Sequence, residues 1–128
     1  MYGIDQWKQL PFRDVDCSET YKQFDMEKLY QSVVFNAKTF GKRCIIIHND
    51  SVSAAEQIED NSLDFVFIDA DHTYEGVKRD VEAWFPKVKV GGMVLGHDNH
   101  WPTVRQYIDE RFTDSWKDYG EAVWGVYV

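Results

Sequence analysis

The sequence predicts an α/β fold built on an open, mainly parallel β-sheet with helices on both of its faces. Short apolar runs, typical of strands that are covered on both sides, alternate along the chain with amphipathic segments of helical spacing. Each apolar run ends in an aspartate, and the final segment, "WKDYGEAVWGVYV", has the pattern of an antiparallel hairpin with its turn at Gly120. The four expected strands that precede the hairpin are 2–5, 43–50, 63–69 and 89–98.

Helix signals fill the spaces between these strands. An aspartate suits the start of the first helix and a glycine its end. A serine and a glutamate at capping-box spacing predict where the second helix starts. A proline ends the third helix, and another proline begins the fourth. In chain order these residues are Asp25, Gly41, Ser53 with Glu56, Pro86 and Pro102. The "GG" at 91–92 is expected to form the turn that leads into the strand at 89–98.

Bulk properties limit the classes of function. A chain of 128 residues is expected to form a single domain, 1–128, and a net charge of -8 disfavours nucleic acid and anionic membranes as partners. No apolar run approaches the roughly 20 residues of a membrane helix, and "MYGIDQWKQL" lacks the layout of a signal peptide. Cys17 and Cys44 show no metal-type spacing. We therefore expect reduced thiols and a cytoplasmic protein.

Acidic side chains collect where the expected strands end, which is where open α/β sheets bind their ligands. If strands 63–69 and 89–98 are neighbours about 4.8 Å apart, Asp69 and Asp98 can reach one small cation together. The amide oxygen of Asn99 completes an all-oxygen set, which suits Mg²⁺ or Ca²⁺ better than zinc. The sequence thus predicts a divalent-cation site at this edge of the sheet.

Simpler roles remain open for several of these polar residues. Asp71 or Thr73 can cap the helix that follows, and Asp50 can be only a turn or cap residue. His48 is expected to pack near the end of its strand.

The segments "YGID", "HNDS" and "LDFVFIDADHTYEGVKRDVEAWFPKVKVGGMVLGHDN", together with the closing hairpin, resemble class I S-adenosylmethionine-dependent methyltransferases. The resemblance is strongest to the metal-dependent O-methyltransferases of the catechol and caffeoyl-CoA type. It extends to the sugar O-methyltransferases and the cephalosporin-hydroxylase-like enzymes. It covers nearly the whole chain and implies a Rossmann-like fold with S-adenosylmethionine as cofactor.

The resemblance implies roles for residues on the cofactor side. Asp5 matches the acid that holds the cofactor's ribose hydroxyls, and Asp50 and Ser51 fall where the family contacts the adenine end. Asp69 is assigned to the cofactor as well as to the metal.

The resemblance also implies a metal set and a base. Asp69, Asp98 and Asn99 match the metal ligands of the catechol-type enzymes. His72 stands where those enzymes often carry a lysine base, and His100 resembles the histidine base of the sugar-modifying branch. His100 is the favoured base.

Three further positions complete the implied site. His97 stands where the sugar-modifying branch often has another acidic ligand, so this position departs from the family pattern. Trp7 and Trp101 can pack against an aromatic or sugar acceptor, or serve as ordinary core and rim aromatics.

One implied part of the family pattern does not occur in the sequence. The family's first strand and glycine-rich loop should precede "YGID", and no glycine-loop motif is found. We therefore expect an N-terminally truncated domain that binds S-adenosylmethionine poorly. The missing strand belongs between the strands of Asp5 and Asp69. Either "YGID" pairs directly with 63–69, or a second copy of the chain covers the gap, and a homodimer is favoured.

The expected function is methyl transfer from S-adenosylmethionine to a hydroxyl group of a small molecule, assisted by Mg²⁺ or another divalent cation. Two alternatives belong to other classes. One is a non-catalytic remnant of the fold that acts as a binding or structural module, and the other is a metal-dependent hydrolase.

Overall fold

The computed structural model describes residues 1–8 and 24–128. The chain divides into two compact units, residues 1–54 and 55–128. Each unit has its own sheet, and the predicted α/β class is confirmed. Within the described ranges, no helix is both long enough and apolar enough to cross a membrane. Cys44 is a free thiol, whereas Cys17 lies outside the described residues.

The first unit is a two-stranded parallel sheet with one long helix. Its elements are β1 (Tyr2–Asp5), α1 (Met26–Lys38) and β2 (Ile45–His48). As expected, Asp25 caps α1, because its side chain accepts a hydrogen bond from the backbone N–H of Lys28 at 3.2 Å. Strand β2 was expected to be covered on both faces, but Ile45 is 46% exposed.

The short helix α2 (Ser51–Ala55) spans the boundary between the units and begins earlier than predicted. The prediction that it starts at Ser53 is wrong. The carboxylate of Asp50 accepts a hydrogen bond from the Ser53 backbone N–H at 3.1 Å. An aspartate in this place stabilises the first turn of a helix, so the helix includes the residues before Ser53. Hydrogen bonds from Ser53 also lower the pKa of Asp50.

The second unit contains a four-stranded mixed sheet and two long helices. Its elements in chain order are β3 (Leu63–Ile68), α3 (Tyr74–Trp84), β4 (Val88–Gly96), α4 (Pro102–Phe112), β5 (Lys117–Gly120) and β6 (Val123–Tyr127). The strand order is β3-β4-β6-β5, with β3 and β4 parallel. The predicted hairpin is confirmed, since β5 and β6 pair antiparallel.

The glycine pair at 91–92 lies inside β4 and does not form a turn before it. Gly91 has a φ of 84°, a conformation that favours glycine. The register between β3 and β4 shifts here, from Leu63 opposite Val88 to Phe65 opposite Met93. Strand β4 continues through this irregular stretch, although the sequence "GG" is typical of a turn.

Helices α3 and α4 pack on one face of the second sheet and form the core of this unit. The parallel neighbours β3 and β4 are joined by α3, as a crossover connection requires. Apolar residues at helical spacing face the alternate residues of the strands. The buried members are Val77, Val81, Val88, Val94, Val104, Tyr107, Ile108, Phe112, Trp124 and Val126.

One of the two expected arrangements, direct pairing of "YGID" with 63–69, does not occur among the described strands. Strand β1 pairs with β2 along its whole length, with Tyr2 opposite Ile45 and Asp5 opposite His48. Hydrogen bonds from Ile45 N–H to Met1 O and from Asn49 N–H to Asp5 O extend this ladder at both ends. Among the strands that the structure describes, no pair joins β1 to β3.

Close packing of a strand against a tryptophan makes Gly96 sensitive to substitution. A Cβ at Gly96 would lie 2.5 Å from atoms of the buried Trp124 ring. We expect Gly96→Ala to destabilise the fold by about 1–3 kcal/mol, since overpacking forces the ring to shift. Urea unfolding followed by circular dichroism measures this. Val90→Ala serves as the control, because Val90 in the same strand is 87% exposed. Equal midpoints for both variants would contradict the packing.

Candidate functional site

A cluster of ionisable side chains lies where the two central strands of the second unit end. Asp69 directly follows β3, and Asp98 lies two residues beyond the end of β4. The parallel ladder continues past β4, because the His97 backbone N–H donates to Ile68 O at 3.0 Å. Asp69, His72 and Asp98 each offer one ligand atom, and these atoms lie within 4.8 Å of one another. A single cation could contact all three.

His72 brings a nitrogen atom into this cluster. Its Nε2 lies 2.8 Å from Asp98 Oδ2 and 3.7 Å from Asp69 Oδ1. This nitrogen is buried and has no well-oriented hydrogen-bond partner among the described residues. The Nε2 atom therefore lies close to two carboxylates, a position that a cation ligand could take.

The backbone places Asp98 in an unusual conformation. Its φ is 61°, in the left-handed region that non-glycine residues seldom adopt. The Trp101 backbone N–H donates to the Asp98 carbonyl at 2.9 Å and helps to hold the bend. The carboxylate is only 13% exposed. Such conformations persist where the surrounding structure enforces them, often at functional sites.

Two further histidines lie next to the Asp98 carboxylate. His97 Nδ1 is 3.2 Å from Asp98 Oδ2, and His100 Nδ1 is 3.9 Å from Asp98 Oδ1. The hydrogen bond with Asp98 raises the pKa of His97, with a smaller contribution from the charge of Asp69. His100 is 63% exposed, so it is accessible to a molecule that binds beside the cluster.

Trp101 and Thr103, at the start of α4, hold His72 in position. The Thr103 hydroxyl donates to the His72 carbonyl at 2.5 Å. The Trp101 ring stacks on the His72 imidazole, with centroids 5.3 Å apart and planes 28° apart. The imidazole is thus held from its backbone and from one ring face. Trp101 is occupied by this contact, which favours its role as a rim aromatic.

Of the two residues that were expected to cap α3, Thr73 is the N-cap and Asp71 is not. Thr73 is the N-cap of α3, and its hydroxyl accepts from the Gly76 N–H at 3.1 Å. The Asp71 carboxylate accepts from the Thr73 N–H at 2.9 Å. Asp71 also packs so close to Gly76 that a side chain at that glycine would collide with it.

The side chain of Asn99 stays a predicted ligand. Asn99 is buried, and its backbone N–H donates to Ala122 O at 3.1 Å. Its side-chain nitrogen makes no hydrogen bond within the described part of the chain. An unsatisfied buried amide is costly, so this group is a candidate for a partner that binds at the site.

The predicted cofactor residues Asp5, Asp50 and Ser51 belong to the first unit, and the ionisable cluster belongs to the second. The carboxylate of Asp5 accepts a hydrogen bond from the Trp7 backbone N–H at 2.7 Å. Their roles toward a cofactor stay predictions.

His48 packs at the end of its strand, as expected. Its Nε2 lies 2.9 Å from Gln6 O, and its ring contacts Trp7 and Tyr30 with centroids 5.4 and 4.5 Å away. Trp7 packs in the same group. Both aromatic residues named as possible acceptor contacts therefore have protein partners.

Sequence reasoning assigned His72 as a possible base and did not identify it as a candidate cation ligand. The available signal was its spacing three residues after Asp69, which can return a side chain to the strand end. The missing information was the bend at Asp98, which brings that carboxylate to His72.

The ion pair around Asp98 predicts a specific titration in the metal-free protein. The hydrogen bond with Asp98 raises the pKa of His97. The ion pair between His97 and Asp98 therefore stabilises the fold fully at a pH below about 6.5, the ordinary pKa of histidine. It is lost as the pH rises through the higher folded pKa. We expect Asp98→Asn to return the His97 pKa toward its ordinary value, as measured by NMR titration of the imidazole signals. An unchanged pKa in this variant would refute the contact.

Comparisons with known proteins identify the family of this chain. The family model described as "Methyltransferase domain" matches residues 1–99. An uncharacterized protein, y4gI of Sinorhizobium fredii, is 27% identical over 97 residues, which cover 76% of this chain and 10% of that protein. The chain therefore spans about a tenth of the length of this curated relative.

Solved structures share the fold at low sequence identity. The O-methyltransferase NovP has a TM-score of 0.64 and 13% identity over 98% of this chain and 58% of its own. CalS11, a TDP-rhamnose 3'-O-methyltransferase, has a TM-score of 0.53 and 16% identity over 98% of this chain and 57% of its own. A Corynebacterium glutamicum protein has a TM-score of 0.59 and 13% identity over 80% of this chain and 56% of its own. Because the family model matches residues 1–99, which are most of this chain, the chain belongs to the methyltransferase-domain family.

Proposed function

We propose that this chain carries the cation site and part of the cofactor site of an S-adenosylmethionine-dependent O-methyltransferase. The acceptor is a hydroxyl group of a small molecule. The observation that supports this most is the convergence of Asp69, His72 and Asp98 at the ends of two neighbouring strands, in a member of a methyltransferase family.

The named structural neighbours support the choice of acceptor atom. NovP is described as an O-methyltransferase, and CalS11 as one that acts on the 3' position of TDP-rhamnose. Both resemble this chain in fold, at identities that show the fold alone. Methyl transfer to oxygen in this chain is therefore a proposal from the family, the fold and the polar cluster taken together.

The residues of the cluster fit a divalent cation. Two carboxylate oxygens and one imidazole nitrogen form a mixed set that Mg²⁺ and Mn²⁺ can both use, with Mn²⁺ more tolerant of the nitrogen. A bound cation would lower the pKa of an acceptor hydroxyl and orient it. In this chain, Asp69 and Asp98 would supply the negative charge, and the buried Nε2 of His72 would supply the third contact.

His100 is the proposed base. Its exposed imidazole lies beside the Asp98 carboxylate, within reach of a hydroxyl that binds at the cluster. An imidazole has an ordinary pKa near 6.5, which suits proton acceptance at neutral pH. We propose that His72 serves the cation, since its Nε2 faces the two carboxylates.

The residues proposed to contact the cofactor are Asp5, Asp50, Ser51 and Asp69. Asp50 already accepts a hydrogen bond from the α2 backbone, and Asp5 from Trp7.

The proposal is tested with methyl-labelled S-adenosylmethionine at high concentration and a panel of small-molecule diols, catechols and sugars. The proposal expects label in a hydroxyl acceptor when Mg²⁺ or Mn²⁺ is present and none after EDTA. Cation binding without methyl transfer would favour the non-catalytic binding module. Hydrolysis of an ester or phosphate by the same cluster would favour the hydrolase alternative.

A further inference from the structure

The turn that joins β5 to β6 lies against the backbone segment that carries Asp98. Glu121 and Ala122 form this turn, which we call the hairpin turn. The Asn99 backbone N–H donates to Ala122 O at 3.1 Å, and His97 Nε2 lies 3.1 Å from Glu121 O. The two residues that flank Asp98 are therefore both within hydrogen-bond distance of the hairpin turn.

The hairpin turn has a backbone conformation that its sequence does not favour. Glu121 has a φ of 49° and Ala122 a φ of 61°. Two-residue turns with positive φ at both positions usually contain asparagine, aspartate or glycine. Asp98, across the hydrogen bonds, also has a positive φ. Unfavourable conformations of this kind persist when neighbouring structure enforces them, so the turn and the segment 97–99 support each other.

Two side chains strengthen the same connection. The His97 imidazole extends from the hairpin turn to the Asp98 carboxylate, because its Nε2 faces Glu121 O while its Nδ1 lies 3.2 Å from Asp98 Oδ2. The Trp124 indole N–H donates to His97 O at 3.2 Å. Trp124 is 1% exposed and belongs to the core, so it ties the His97 backbone to the core of the unit.

We propose that the hairpin turn positions Asp98, so that its carboxylate lies beside Asp69 and His72. His97 and Trp124 are then positioning residues that act through Asp98. The consequence for a cation rests on the proposed function, whereas the placement of Asp98 does not. Groups that orient a metal ligand are worth about 10–100-fold in metal affinity, so a displaced turn should weaken cation binding by that amount.

The test compares Glu121→Pro with Glu121→Gly. Proline cannot adopt a φ of 49° and must displace the turn, whereas glycine adopts it freely, and both substitutions remove the same exposed side chain. In the metal-free protein, we expect amide hydrogen exchange at Asn99 to be about tenfold or more faster in Glu121→Pro than in Glu121→Gly, as followed by NMR. Val94, which is paired on both sides within the sheet, should change less. A loss of overall stability alone would accelerate both amides to the same extent.

Calorimetry with Mn²⁺ measures the effect on cation binding. We expect Glu121→Pro to bind Mn²⁺ about 10–100-fold more weakly than Glu121→Gly. Equal affinities in the two variants, or equal exchange at Asn99, would overturn the proposal. If neither the parent nor Glu121→Gly binds Mn²⁺, the proposed cation site fails, and the exchange at Asn99 still decides whether the turn positions Asp98.

A second pair of variants applies if circular dichroism shows that Glu121→Pro does not fold. Trp124→Phe removes the indole donor to His97 O. Trp116→Phe is the matched control, because it also loses an indole hydrogen bond, to Asp109 Oδ1 at 2.9 Å, outside the ionisable cluster. Faster exchange at Asn99 in Trp124→Phe alone would support the proposal. Equal exchange at Asn99 in the two tryptophan variants would overturn it.

Discussion

Replacing Asp98 with asparagine is expected to reduce cation affinity by about 100-fold or more and to abolish the proposed cation-dependent methyl transfer. Loss of a residue that only supports a ligand costs about 10–100-fold in affinity, so loss of a charged ligand should cost at least as much. Asparagine is the informative substitution, because it tolerates the left-handed backbone at this position, where φ is 61°. Alanine would add backbone strain to the loss of the ligand.

Calorimetry with Mg²⁺, Mn²⁺ and Ca²⁺ measures this effect. Asp69→Asn should weaken binding in the same way, because Asp69 belongs to the same cluster. Asp114→Asn is the matched control, an exposed aspartate outside the cluster. Equal affinities for the parent, Asp69→Asn and Asp98→Asn would show that the cation binds elsewhere.

Substitutions of His100 and His72 are expected to have different effects on turnover and on cation affinity. His100→Ala should lower kcat by about 10²–10⁴-fold with little change in cation affinity, because His100 is proposed to take the proton and is not a ligand. His72→Ala should weaken cation binding, because its Nε2 lies 2.8 Å from Asp98 and 3.7 Å from Asp69. At saturating cation, part of the activity of His72→Ala should return.

Rates and affinities must be measured on both variants under the same conditions. A larger loss of kcat in His72→Ala than in His100→Ala, persisting at saturating cation, would reverse the two roles. Loss of cation binding in His100→Ala would show that this histidine is itself a ligand.

Much of the fold could be read from local pattern. Asp25 caps α1 as expected, and Pro102 starts α4, because capping and proline geometry depend on a few neighbouring residues. The neighbouring positions of β3 and β4 followed from the helix between them. The "GG" at 91–92 failed as a turn because the bulge that contains it depends on pairing with β3, which is not local.

Part of the site could be predicted, because the strand pattern shows where the strands end. Asp69 and Asp98 meet because the parallel strands that carry them end at one edge of the sheet. The place of His72 depends on the bend at Asp98, the tether to Thr103 and the stack on Trp101. These are tertiary contacts, so the spacing of three residues between Asp69 and His72 was a signal for the position of His72 but could not establish it.

A Mn²⁺ titration followed by NMR tests the central claim most directly, that Asp69, His72 and Asp98 hold a divalent cation. A paramagnetic ion broadens the signals of nearby nuclei, so the affected residues locate it without any need for turnover. We predict that the signals of Asp69, His72 and Asp98 broaden first, and that Asp98→Asn removes the effect. Broadening centred on other acidic residues, or equal broadening in the parent and Asp98→Asn, would contradict the account.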